Sequence, residues 1–243
     1  RKTTRPMPCK TVWTPKQQPR LSLPIPTSPS PTYSPSSPTY SPTHGNEISV
    51  PQECPTLEEA VERTHSSILD TIVLSEGTHV VGDNIAYVVI SSPMKIIGHG
   101  YNNKIIVLCG FSIESNVQGM VDIENITIQN KKGSGVYGHS SFNLNNVFIE
   151  KCENDGVIAL GDSTNGKCTN VTVSECKWSG MVADQGGTLT LIGVDTKCIN
   201  NCTGRASNTY GLEVRESSSR VATIHLVSPL TKEMVSKNNG GRG

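Results

Sequence analysis

The sequence predicts an all-β solenoid of parallel coils, capped at its amino end by one helix and preceded by an extended Pro-rich arm. Three observations carry this expectation. Asn125-Ile126-Thr127-Ile128 recurs as Asn146-Val147-Phe148-Ile149 and Asn170-Val171-Thr172-Val173, with a fainter copy at Gly193-Val194-Asp195-Thr196, at steps of 21, 24 and 23 residues between the apolar anchors. In phase with it, Gly135, Gly156 and Gly180 each stand nine residues after the anchor, and Cys152 and Cys176 five after it. A fixed period of this length, with short strands and glycines, marks a stack of coils in which each coil buries its apolar row on the next. Third, aromatic residues make up only 5% of the chain. That is little for a globular core, but it suits a thin interior filled by Val, Ile and Leu.

The elements follow in order. Residues 1–46 read as an extended or disordered arm: 11 of the 15 prolines lie before residue 46, interleaved with Ser and Thr and with no apolar period. The arm carries Arg1, Lys2, Arg5, Lys10, Lys16 and Arg20, and the first acidic residue is Glu47. The rest of the chain then holds 15 basic against 21 acidic residues, so a basic arm precedes a mildly acidic body. Such an arm reads as a spacer, and as a candidate ligand for a neighbouring protein. Tyr33 to Thr39 resembles one heptad of the RNA polymerase II tail. The folded domain is expected over 47–243. Ile48-Ser49-Val50 alternates as a strand. Thr56 and Glu59 form a capping box for a helix whose Leu57, Ala60, Val61 and Thr64 make one apolar stripe. Strands follow at 71–74, 88–90, 95–98, 105–108 and 221–226. No capping element is visible at the carboxyl end.

The order of a short capped helix, then Thr71-Ile72-Val73-Leu74-Ser75-Glu76-Gly77-Thr78-His79, then Met94-Lys95-Ile96-Ile97-Gly98-His99-Gly100, then coils, resembles the pectate-lyase-like right-handed parallel β-helix superfamily. The resemblance covers about Glu47 to Gly243. It implies a right-handed parallel β-helix whose helix plugs the amino-terminal mouth, and it leaves activity open, because that fold serves lyases, hydrolases, epimerases, tailspikes and binding modules. The family's catalytic phrases are absent: there is no Arg-x-Pro-x-x-Arg string and no Asp-Asp pair, and Gly98-His99-Gly100 stands where the family has a structural turn.

The residues themselves suggest two roles. Those that recur every coil serve the ladder: Asn125, Asn146 and Asn170 as stacked turn amides, Gly135, Gly156 and Gly180 as corners needing left-handed dihedrals. Cys152 and Cys176 read as buried thiols, as a disulfide or as metal ligands. The Asn-x-Ser/Thr pattern at 125, 170 and 201 reads as structural rather than glycosylated. Function is expected where the repeat breaks. Trp178 either stacks on a sugar ring or covers a corner, and Lys177, Asp155, Asp162 and Asp184 are polar candidates on the coils. If Asp155 shares a column with Ser179, beside Glu153 and Lys177, that face suits a polar polymer. The expected function is therefore a non-catalytic module presenting a ladder surface to protein or glycan, within a larger assembly such as a virus particle. The alternative is a polysaccharide-acting lyase, epimerase or hydrolase, which needs two or three carboxylates with a Lys or Arg on one outer face. No cofactor or metal is expected, calcium entering only for a lyase. Nucleic acid is not an expected partner. No membrane span or signal peptide is visible, and an intracellular or virion setting is expected.

Overall fold

The computed structural model describes residues 45–240 apart from 66, 67, 83, 205–207 and 216–219. The heptad-like segment and the basic residues of the arm lie outside the described residues. The described chain is a β-solenoid of about six turns. Each coil contributes three short strands, one to each of three parallel sheets. The eight-stranded sheet begins with Glu47–Val50 and Thr71–Leu74 and runs to Thr188–Ile192 and Thr223–Leu226. The seven-stranded sheet includes Thr127–Gln129, Phe148–Glu150, Thr172–Ser174 and Lys197–Ile199. The six-stranded sheet is built from Tyr87–Ile90, Gly110–Ile113, Val136–Gly138, Val157–Leu160, Met181–Asp184 and Leu212–Arg215. Strands of three to five residues suffice, because hydrogen bonding grows along the stack rather than along the strand.

Side chains alternate inward and outward along each strand, and parallel register stacks like on like. Ile96, Ile123, Leu144, Cys168 and Leu191 form one inner column of the eight-stranded sheet, all of them buried. Val107, Ile128, Ile149, Val173 and Cys198 form the matching column of the seven-stranded sheet. The helix α1 (Leu57–His65) lays Leu57, Ala60, Val61 and Thr64 on the first coil. The Glu59 N–H donates to Thr56 Oγ1 at 3.2 Å, as the cap predicts, but the Glu59 carboxylate pairs with Arg63 one turn on.

The asparagine ladder is present at the expected positions. Asn125, Asn146 and Asn170 adopt left-handed φ of 57°, 53° and 52°, and Asn146 Nδ2 donates to Asn125 Oδ1 at 2.8 Å. The fourth rung is Gly193, also left-handed at φ 86°, with its α-carbon against the Asn170 side chain. Asn146→Gly should therefore cost less than Asn146→Ala. Alanine loses the same rung and adds roughly 1–2 kcal/mol of left-handed strain; denaturant titration of the two variants checks the order.

The glycine column is correctly placed in the sequence reading but for the wrong reason. Gly135, Gly156 and Gly180 are not among the left-handed glycines. A Cβ at Gly156 would strike Val173 Cγ1 and stand 2.7 Å or less from the carbonyl oxygen of Gly180 (2.6 Å); at Gly135 it would meet Ile149 and the Gly156 oxygen, 2.7 Å away. The glycine lets one coil's corner sit on the carbonyl of the next. Gly211 continues the column, since the Gly180 α-carbon lies against its carbonyl.

A second column fills the corner after the seven-stranded sheet. Cys152, Cys176, Asn201 and Asn239 each follow a left-handed residue: Lys151, Glu175, Asn200 and Asn238. Cys198, 22 residues after Cys176 in the sequence, is not a third thiol of this column. It lies in the strand, paired with Val173, and Asn201 takes the corner. Asn201 Oδ1 accepts from the Cys176 N–H at 3.1 Å while Nδ2 donates to Val173 O at 3.0 Å. Asn239 repeats both bonds one coil on, with the Asn201 N–H at 2.9 Å and Cys198 O at 2.9 Å. Amides so committed in the interior explain the Asn201 pattern as structural.

The seven described cysteines are buried. The Cys152 thiol and burial together push Cys176 far up; burial raises Cys168 to about 12, and burial with a smaller push from Glu58 raises Cys109 to about 12. A thiolate reagent at neutral pH should leave all seven unlabelled in the native protein and label them on unfolding, as peptide mass mapping would show.

The carboxyl end differs from expectation. After Leu212–Arg215 the chain continues through Thr223–Leu226 to a short helix, Lys232–Val235, and a two-residue strand, Ser236–Lys237. Leu230 and Val235 join the core there, so this turn of helix covers part of the last coil. No helix among the described residues is long and apolar enough to cross a membrane.

Candidate binding face

The outer surface of the six-stranded sheet gathers polar and aromatic groups. Its outward positions follow from register. Val89, Ser112, Tyr137, Ile158, Val182 and Glu213 share one column, and Leu160, Asp184 and Arg215 share another. Asp155 and Ser179 occupy equivalent corner positions just before the strands, since the Gly135 N–H donates to Asp155 O and the Gly156 N–H to Ser179 O.

Arg215 ties this face together. Its Nη2 lies 3.2 Å from Asp155 Oδ1 and 3.4 Å from Oδ2, and its Nε donates to Glu213 Oε1 at 2.7 Å. Asp155 sits at the corner just before Val157–Leu160, the second strand away, so the guanidinium crosses the outside of Met181–Asp184. Val182 there is buried despite its outward position. Asp155 is 2% exposed and also accepts the Ser179 N–H at 2.9 Å. Ser179 Oγ donates to Glu213 Oε2 and accepts the Tyr210 N–H at 2.9 Å. Burial lifts the Asp155 carboxyl above the usual carboxylate range; Arg215 and the Ser179 N–H pull it down, and Glu213 pushes it up again. Partial burial works against the charge on Arg215, but Glu213 and Asp155 outweigh it and its pKa rises.

Beside this network stands an aromatic group. The Tyr137 ring is edge-on to His139, 4.7 Å between centroids at 83°, and lies 6.5 Å from Tyr87. Burial, then the charge of Asp184, raise the Tyr137 phenol. Tyr87 is fixed from below: its hydroxyl accepts the Ser134 N–H at 2.7 Å.

The five polar and aromatic candidates therefore separate. Asp155 and Asp184 belong to this face, Asp155 as its buried anchor. Asp155 and Ser179 do share a column, with Lys177 and Glu153 paired beside them at 2.6 Å. Lys177 and Trp178 sit on the preceding corner; Trp178 is 44% exposed, and its backbone bonds tie Asn154 to Cys202. Asp162 lies at the opposite corner, packed on Gly186 and paired with Arg220 at 3.1 Å. Arg215, Glu213, Tyr137 and His139 went unnoticed in the sequence. The signal for the first two was Gly211: aligning it with Gly180 places Glu213 and Arg215 opposite Val182 and Asp184.

Comparison of the chain with protein-family models, with curated proteins and with solved structures finds no match.

Proposed function

We propose that the chain is a non-catalytic β-solenoid module of the pectate-lyase-like kind that binds a glycan along the outer face of its six-stranded sheet. The observation that carries this reading is the half-buried Tyr137–His139 pair beside Asp184 and the Arg215 network. An aromatic face covers the apolar side of a sugar ring, while fixed carboxylates accept from its hydroxyls. The coil repeat of about 4.8 Å gives an extended track suited to a linear polymer. Charge narrows the ligand: Asp155, Asp184 and Glu213 outweigh the single cation Arg215, which favours a neutral glycan over a polyuronate.

One observation favours a second reading, a polysaccharide-acting enzyme. Asp155 and Glu213 meet on one outer face around one arginine, and Asp155 has a raised pKa, a combination frequent at catalytic sites. Against it, both Asp155 oxygens are occupied within the protein, which leaves little for a substrate.

A panel of neutral and acidic linear polysaccharides separates the readings. The binding module should retain neutral chains and release neither reducing nor unsaturated ends. Release of either would favour the enzyme, and retention of polyuronates alone would overturn the charge argument.

A further inference from the structure

We propose that a groove between α1 and the strand Tyr87–Ile90 receives the basic leading segment, residues 1–20, of a second copy of this chain. The groove encloses about 540 Å³. Its rim is acidic: Glu58 and Glu62 stand one turn apart on α1, and Glu114 lies across from them. Its floor is apolar, formed by Val61, Ile85 and Val89, and Val89 is 48% exposed. Among the described residues no ion pair involves any of the three glutamates, whereas Glu59 on the same helix is paired with Arg63. Like charges at i and i+4 destabilise a helix, so Glu58 and Glu62 form an anionic pair without a cation among the described residues. His65 does not supply it, since its Nε2 accepts the Ser91 N–H at 3.3 Å.

The leading segment has the complementary chemistry. Arg1, Lys2, Arg5, Lys10, Lys16 and Arg20 precede the first acidic residue of the sequence, Glu47, and Val12-Trp13 supplies apolar side chains for the floor. The chain has a formal net charge of zero, divided into a positive segment and a negative body. Two copies therefore attract head to body rather than repel, whether the arms are exchanged reciprocally or passed from copy to copy.

Zero-length carbodiimide cross-linking of the full chain, mixed from isotopically light and heavy protein, tests this. Cross-links from Lys2, Lys10 or Lys16 of one isotope to Glu58, Glu62 or Glu114 of the other are expected. Self-association measured by sedimentation should weaken at least about tenfold in Glu58→Gln/Glu62→Gln/Glu114→Gln, the sum of a few exposed ion pairs. That triple variant should fold at least as well, because it relieves the repulsion on α1. Cross-links only within one isotope, none onto these glutamates, or self-association unchanged in the triple variant would each overturn the proposal.

Discussion

Arg215→Ala should lower the stability of the solenoid by about 3–5 kcal/mol near neutral pH, the cost of leaving one member of a buried ion pair uncompensated. Asp155 is 2% exposed, and Arg215 is its cationic partner. The loss should shrink as pH falls. The folded-state pKa of Asp155 already lies above its unfolded value, so the folded protein holds this proton more tightly. That contribution is fully present below the unfolded pKa and is lost as pH rises through the folded one. Without Arg215, which lowers the folded pKa, the window widens upward and the variant regains stability on acidification. Adding Asp155→Asn should return most of the loss at neutral pH. Denaturant titrations of the three proteins at acidic and neutral pH decide it: a deficit independent of pH, or no rescue by Asp155→Asn, would place the role of Arg215 elsewhere.

Gly156→Ala should cost about 3 kcal/mol, at the upper end of overpacking penalties. The added methyl meets the Val173 side chain and the Gly180 carbonyl oxygen, both of which are held by the ladder. Gly161 is the control. Its φ is 99° and the nearest atom to an added Cβ is Thr164 Oγ1 at 3.9 Å, so alanine there adds only backbone strain of about 1–2 kcal/mol. If Gly161→Ala proved the more damaging, left-handed corners and not close coil contact would explain the glycine column.

These two positions show what can be read from a solenoid sequence. Residues that recur in every coil announce themselves. The asparagine and glycine columns stand at the spacings their letters suggest, although spacing alone could not tell a left-handed turn at Asn146 from a contact-limited corner at Gly156. The anchors revealed one strand per coil. The others, such as Val136–Gly138 and Asn165–Thr169, mix apolar residues with glycine, asparagine and lysine and have no clear alternation. The site was hardest to see. Outward positions face no periodic requirement, and the step of 31 residues from Gly180 to Gly211 is longer than the preceding steps of 21 and 24. Across such an insertion the register that brings Arg215 back over Asp155 is fixed by sheet pairing and not by counting. Trp178 drew attention as an isolated aromatic, yet the grouped aromatics are Tyr137, Tyr87 and His139, each of which looked unremarkable alone.

In the proposed binding mode, ligand lies along the six-stranded sheet beside Tyr137 and Asp184. Calorimetric titration of whichever neutral glycan the panel retains, against Tyr137→Ala, Asp184→Asn and Trp178→Ala, tests it most directly. At least about a tenfold loss of affinity, or about 1.4 kcal/mol, is expected for the first two and little change for Trp178→Ala. Undiminished affinity in Tyr137→Ala, or a loss confined to Trp178→Ala, would contradict it and move the site to the corner.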